Sequence, residues 1–549
     1  FIGSANIDTN SRLCMSSAVA GHKRAFGSDT VPGCYEDFEL ADLVVLAGSN
    51  TAWCHPVLFQ RIMATKKQRP DMRVVVIDPR ETATCEIADL HLPIRPGKDV
   101  RLFNLVLTQL AEKQRLNRSY IEEHTQGFEE ALATAMQDAQ GIEETAQDCQ
   151  LNIEKVKTFV DWFIDTDKTV TLFSQGINQS SHGTDKVNAI INCHLASGRI
   201  GQPGMGPFSM TGQPNAMGGR EVGALANQLA HHIEFNDEGI NQLERFWKSD
   251  NIATKPGLKA VDLFRRVETG EVKALWIMAT NPVVSMPNAD QVKRALASCE
   301  LVVVSDCMVA TDTMAYADIA LPALAWGEKN GTVTNSERRI SRQRQFLSRP
   351  GKARPDWWMI KEVAQRMGYH GFDYEQEVDI FREVARLSGY ENDGKRDFDI
   401  SGMQDISAMA YDDVTPFQWP RVNGEASTMP RFFSRGGFYT PEGKANFISV
   451  CDGPPGEAKD GNYPYILNTG RIRDQWHTMT RTGKSARLSQ HINEPFVSIH
   501  PQDARRENIE DHDLVKVTSR HGDITVRARV TNEQQAGQVF VPMHWSTQY

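Results

Sequence analysis

Short apolar runs rich in β-branched residues recur along the chain, each closing on small or polar residues. They are ELADLVVLAGSN (39–50), RVVVIDPR (73–80), TVTLFSQG (169–176), VKALWIMATNP (272–282), ELVVVSDCM (300–308) and ADIALPAL (317–324). Apolar residues at consecutive rather than alternating positions predict strands buried on both faces, as in parallel sheets. Between the runs the apolar residues fall at helical spacing: near Pro56 to Lys67, in RLFNLVLTQLAEK (101–113), and around Lys186 to Ala196, which Gly198 stops. Strand and helix alternate, and the predicted fold class is α/β, with two interleaved doubly wound, Rossmann-like parallel-sheet domains.

The pattern then changes. From about 340 to 430 the sequence is charged and irregular, and Pro454, Pro455, Gly456 and Gly461 mark a linker. Beyond it, residues 496–545 read as short alternating strands with turns, a C-terminal β-barrel. The expected division is an α/β domain over 1–240 with the first dinucleotide site, a second α/β dinucleotide domain over 241–395, an irregular connection over 396–455 and a truncated barrel domain over 456–549. No repeat of solenoid period is present.

Composition narrows the function. Sixty Lys+Arg against 70 Asp+Glu leave a net charge of −10, which disfavours wrapping nucleic acid or binding an anionic membrane. No apolar run reaches the ~18–20 residues of a bilayer span. The nine cysteines are scattered without a CxxC, which excludes the usual zinc-ribbon and ferredoxin ligand sets and favours reduced thiols in a cytoplasmic setting. Glycine-rich loops stand at the strand ends: Gly48-Ser49-Asn50, Arg95-Pro96-Gly97 and SGRIGQPGMGPFSMTGQPNAMGGREVG (197–223). Any one of them reads as turn punctuation; together at strand ends they point to a nucleotide-bearing cofactor, with Asp78 and Asp306 placed to accept from a ribose or a base edge. His231-His232 reads as a plain helix pair.

The segment TNSRLCMSSAVAGHKRAFG (9–27) resembles the molybdenum-binding segment of the nitrate reductases of the bis-molybdopterin guanine dinucleotide family. Family-like segments follow in the family's order: 48–62, 74–99, 198–223, 279–288, 305–343, 353–358, 468–483 and 539–545. The resemblance implies molybdenum held by the Cys14 thiolate, with Met15 as an apolar wall, and nitrate reduced by two-electron oxygen-atom transfer. Arg220 is the implied nitrate-binding group, the alternative being an ion pair with Glu221, and Gln175 makes the pocket wall more polar than in the periplasmic enzymes. Two guanine dinucleotides per chain are implied. Asn50, Asp78, Thr82, Asp99 and Gly176 would face one, and Asn281, Ser305, Asp306, Thr311 and Asp312 the other. Thr469, Gly470, Arg471, Trp476, His477 and Thr478 would close over the pterins.

The features GGREVG and Gln175 favour the assimilatory branch, hence a cytoplasmic enzyme fed by a ferredoxin, a flavodoxin or an NADH-linked subunit. These reductases carry an N-terminal iron–sulfur domain; no four-cysteine motif occurs in the 549 residues, so a cluster is expected only in a part preceding Phe1. The periplasmic branch is one alternative. Another is a formate dehydrogenase of the same family, in which the residue after the metal-binding cysteine is typically His rather than Met15. A third is a non-catalytic scaffold relative, which would lack both Cys14 and Arg220.

Overall fold

A computed structural model describes residues 1–422 and 430–548. Strands β1 (Leu43–Ala47), β2 (Arg73–Ile77), β3 (Leu90–Leu92), β4 (Thr169–Phe173) and β5 (Gly206–Ser209) form one sheet in the order β3-β2-β1-β4-β5, every pair parallel. Each residue of β1 is fully buried, which the unbroken apolar run requires. Helix Gly183–Ala196 is buried everywhere except at Thr184 and Asp185.

The strand order reverses between β1 and β4, so the loops leaving their carboxyl ends turn to opposite sides and open a crevice. Gly48 follows β1 at φ +55°, and Gly176 follows β4. The Gly176 N–H donates to the Gly48 carbonyl at 2.9 Å, and a Cβ on Gly48 would lie 2.8 Å from Gly176 Cα. Glycine at both positions is what lets these two loops touch.

A second parallel sheet contains β6 (Ala274–Met278), β7 (Leu301–Asp306) and β8 (Ile319–Pro322), packed with helices Ala260–Glu268 and Ala289–Ser298 around Phe264, Val267, Ile277, Val292, Val302 and Val304. The expected boundaries at 240 and 395 are corrected here. Ile340, Val378, Phe381, Phe398, Trp419, Phe438 and Phe447 pack into the same core as β1–β5. The second α/β core is therefore inserted into the first, and the described part of 396–455 is core rather than connection. Its large aromatics, set irregularly among charges, have no period to reveal them. His231 and His232 also depart from expectation: both are buried in the left-handed region, at φ 55° and 59°, in a single 3-10 turn.

The C-terminal strands β9 (Ile466–Gly470), β10 (Phe496–Ile499), β11 (Leu514–Ser519), β12 (Gly522–Val530) and β13 (Gln538–Pro542) form a curled sheet in the order β9-β13-β10-β12-β11. It is seated over the end of the first sheet. Gln535 Nε2 donates to the Pro79 and Pro93 carbonyls at 2.9 and 2.6 Å, and the Arg80 guanidinium lies 3.6 Å from the centroid of the Phe540 ring. Among the described residues no helix is long and apolar enough to cross a membrane.

Candidate active site

The carboxyl end of the first sheet, the loops after β6 and β7 and the C-terminal sheet enclose a cavity of about 2640 Å³. Ligand pockets commonly hold about 300–1,000 Å³, so this one has room for a ligand far larger than a substrate anion. Cys14 stands in its wall. Gln175 Nε2 donates to Cys14 Sγ at 2.9 Å, and the thiol donates to Gln213 Oε1 at 3.4 Å. Gln213 Nε2 in turn lies 3.1 Å from His477 Nε2. Burial lowers the His477 pKa to about 4, so the ring is neutral and Nε2 accepts, which assigns its proton to Nδ1. His477 is held at φ +42° by the edge of Trp476 and by His544 Nδ1, which donates to its carbonyl at 2.7 Å.

The placement of Cys14 follows from local stitching. It ends the one-turn helix Ser11–Cys14, and helix Ser16–Phe26 begins two residues later. Ser17 Oγ donates to the Asn178 carbonyl at 2.8 Å, the Ala18 N–H to Asn178 Oδ1 at 2.8 Å, and Gln179 Nε2 to the Leu13 carbonyl at 2.9 Å. The cysteine turn and the turn after β4 are thereby one unit.

Of the expected residues, Cys14, Gln175, Asn50, Asp78, Thr82, Asp99, Gly176, Asn281, Asp306, Thr469, Gly470, Arg471, Trp476, His477 and Thr478 line the cavity. Five do not. Ser305 is buried and accepts from Trp276 Nε1 at 2.8 Å, the Thr311 hydroxyl accepts from the Met314 N–H at 3.0 Å, and Asp312 stands 3.4 Å from the Asn281 amide. These support the wall instead of forming it. Met15 packs in the first core, because consecutive residues at a helix start cannot face the same way.

Arg220 is the larger correction. It is 3% exposed and pairs through Nε with Asp29 at 2.8 Å, not with the cavity. Glu221 is no partner to it either, since adjacent helical residues diverge; Glu221 accepts from Trp419 Nε1 and the Thr334 hydroxyl. Residues singled out only by the structure include Gln213, Arg80 and Lys186, whose ammonium pairs with Asp99 at 2.7 Å in the cavity wall. Gln213 stands in the glycine-rich segment already marked; Lys186 gave no signal beyond a cation on a helix.

Burial of Glu221 raises its pKa from the usual 4.5 to about 7, against the pull of Thr334, Trp419, His232 and Arg220. A raised carboxyl contributes stability that is fully present below about pH 4.5 and is lost as pH rises through about 7. His22 works the other way: burial lowers it to about 4, so its contribution is lost as pH falls from 6.5 through 4. Glu221→Gln keeps an acceptor for Trp419, and we expect it to flatten the decline in thermal midpoint between about pH 4.5 and 7 relative to wild type. An unchanged slope in a calorimetric pH series would show that Glu221 is already ionised in the fold.

The donor set fits a large metal-bearing cofactor. Cys14 is a soft thiol donor in the wall, and among the described residues no group of three or more His, Cys, Asp or Glu is arranged to hold a metal by itself. Cys14 can therefore supply one bond and the cofactor must bring the others. Among wall residues, Thr82 Oγ1, Arg80 Nε and Gln175 Oε1 are buried without a hydrogen-bond partner, a state buried polar groups rarely keep.

Residues 1–366 match the family description Molybdopterin oxidoreductase. The chain belongs to the molybdopterin oxidoreductase family. Residues 465–548 match a second description, Molydopterin dinucleotide binding domain, so the curled sheet over the cavity is a cofactor-binding part of this family. A nitrate reductase from Klebsiella oxytoca is 51% identical over 100% of the chain, and one from Shewanella frigidimarina is 45% identical over 100%. The chain spans 62% and 61% of their lengths. An F420-dependent formate dehydrogenase subunit alpha from Methanocaldococcus jannaschii is 34% identical over 98% of the chain and 77% of its own length. In fold the molecule is similar to acetylene hydratase from Pelobacter acetylenicus, with a TM-score of 0.73, 18% identity, and 98% of this chain and 75% of that one covered.

Proposed function

We propose that the whole protein reduces nitrate to nitrite with molybdenum and two molybdopterin guanine dinucleotides, in the assimilatory, cytoplasmic manner. The observation that carries this is the 51% identity to a nitrate reductase across the full chain. Nitrate, two protons and two electrons give nitrite and water; no side chain stores an electron pair, and the bound molybdenum would supply that redox chemistry.

The chain's own residues hold and orient. Cys14 would ligate the metal. Asn50, Asp78, Thr82, Asp99 and Gly176 at the first sheet would meet one dinucleotide, and Asn281 and Asp306 at the second sheet the other, with Ser305, Thr311 and Asp312 behind them. Burial raises the Asp78 pKa against the pull of the Arg80 N–H and guanidinium. It thus gains from a donor partner such as a guanine edge. Thr469, Gly470, Arg471, Trp476, His477 and Thr478 would cover the pterins. An iron–sulfur cluster and the contact with a ferredoxin, flavodoxin or NADH-linked donor would belong to the rest of the whole protein.

Formate oxidation is the second reading, favoured by the formate dehydrogenase relative. Met15 faces the core, so it stands as a mark of the nitrate branch in the sequence and not as a group that touches the substrate. The deciding experiment is metal analysis of the full-length protein for molybdenum and tungsten, with nitrate-reduction and formate-oxidation assays. Stoichiometric molybdenum with nitrate turnover is expected; formate turnover alone would overturn the reading.

A further inference from the structure

The turn that follows β4 carries an amide aimed at the sulfur. Gln175 opens the short helix Gln175–Asn178, and its Nε2 is the N–H donor to Cys14 Sγ at 2.9 Å. The geometry is not left to a free side chain. Gly176 is locked against Gly48, the Ser174 hydroxyl donates to the Met210 carbonyl at 3.0 Å, and Asn178, 4% exposed, donates from Nδ2 to the Ser174 carbonyl at 2.8 Å. Asn178 also receives the Ser17 hydroxyl and the Ala18 N–H from the helix just after Cys14. One buried asparagine thus fixes donor and acceptor relative to each other.

The other partner behaves differently. Gln213 meets the sulfur through Oε1, an acceptor that needs the thiol proton. Ligation as a thiolate removes that proton and with it this bond, while the Gln175 N–H remains able to donate and gains from the added charge. We propose that Gln175 is a positioning residue that tunes the metal-binding sulfur of Cys14 through an N–H···S hydrogen bond, an inference that rests on the nitrate reductase reading above.

A donor to a metal-bound sulfur withdraws charge and stabilises the electron-richer, reduced state, so it raises the reduction potential. Removing it must lower the potential without removing a ligand. The test is Gln175→Met in the full-length holoenzyme, read by an EPR-monitored redox titration of the molybdenum. The one-electron equilibrium is expected to shift at least tenfold toward the oxidised state, which is 59 mV for one electron, with molybdenum content near wild type. A midpoint unmoved at full molybdenum content overturns the proposal and leaves the function standing. Should Gln175→Met lose the metal, Gln175→Glu fills the same volume with an acceptor in place of the donor; it must shift the midpoint the same way, and no shift there is equally fatal. Wild-type protein that holds no molybdenum overturns the function and the proposal together.

Discussion

Cys14→Ser in the full-length protein is expected to abolish nitrate reduction while leaving the fold intact. The side chain is only partly buried and its sulfur makes two side-chain contacts, to Gln175 and Gln213, so a hydroxyl of similar shape disturbs little packing. The chemistry is another matter, since a neutral hydroxyl is a poor donor to a soft metal centre. Loss of a partner that merely orients a ligand costs roughly 10–100-fold in metal affinity or activity, and loss of the ligand itself should exceed that. Nitrate turnover and molybdenum content measured together decide the matter. A variant within a few-fold of wild type in both would remove Cys14 from the metal site.

Arg220→Ala is expected to damage stability rather than substrate binding. Arg220 and Asp29 are 3% and 1% exposed as a pair 2.8 Å apart, and removing one member leaves a buried charge unmatched, at a cost of about 3–5 kcal/mol. His22 Nδ1 lies 4.0 Å from the same carboxylate and does not replace a guanidinium. A clearly lowered thermal midpoint with an unchanged KM for nitrate in the molecules that stay folded is the expected result. Normal stability with a raised KM would place the guanidinium at the substrate after all.

The contrast between these two residues shows what the sequence could and could not disclose. Strands such as Leu43–Ala47 and Thr169–Phe173 were legible because burial on both faces leaves an unbroken apolar run, and the loops at their ends were legible because close approach demands glycine. Asn50, Asp78, Thr469 and Gly470 then fall in the cavity because strand ends converge there, whereas Cys14 reaches it from the end of a one-turn helix stitched to the turn after β4. Direction within a turn is not written in residue type. Met15 follows the wall residue Cys14 and faces the other way, into apolar core, while Arg220, seven positions beyond the wall residue Gln213, turns to an aspartate nearly two hundred positions away. The core residues beyond 340 escaped for a related reason: single aromatics such as Phe398 and Trp419 are anchored by partners far off in sequence, which no local period records.

The stitching of Cys14 to Asn178 also sets a schedule. Ser17 and its carbonyl partner are 161 residues apart, and at about 5–20 residues per second of synthesis the cysteine turn would leave the ribosome roughly 8–32 s before that partner exists. The first core closes later still, because it needs chain as far as Val450. Contacts of such separation form late, after the long loops between them have been ordered. The thiol therefore gains its pocket only once the chain has been made as far as Val450, and a cofactor that binds there can be seated only after that point.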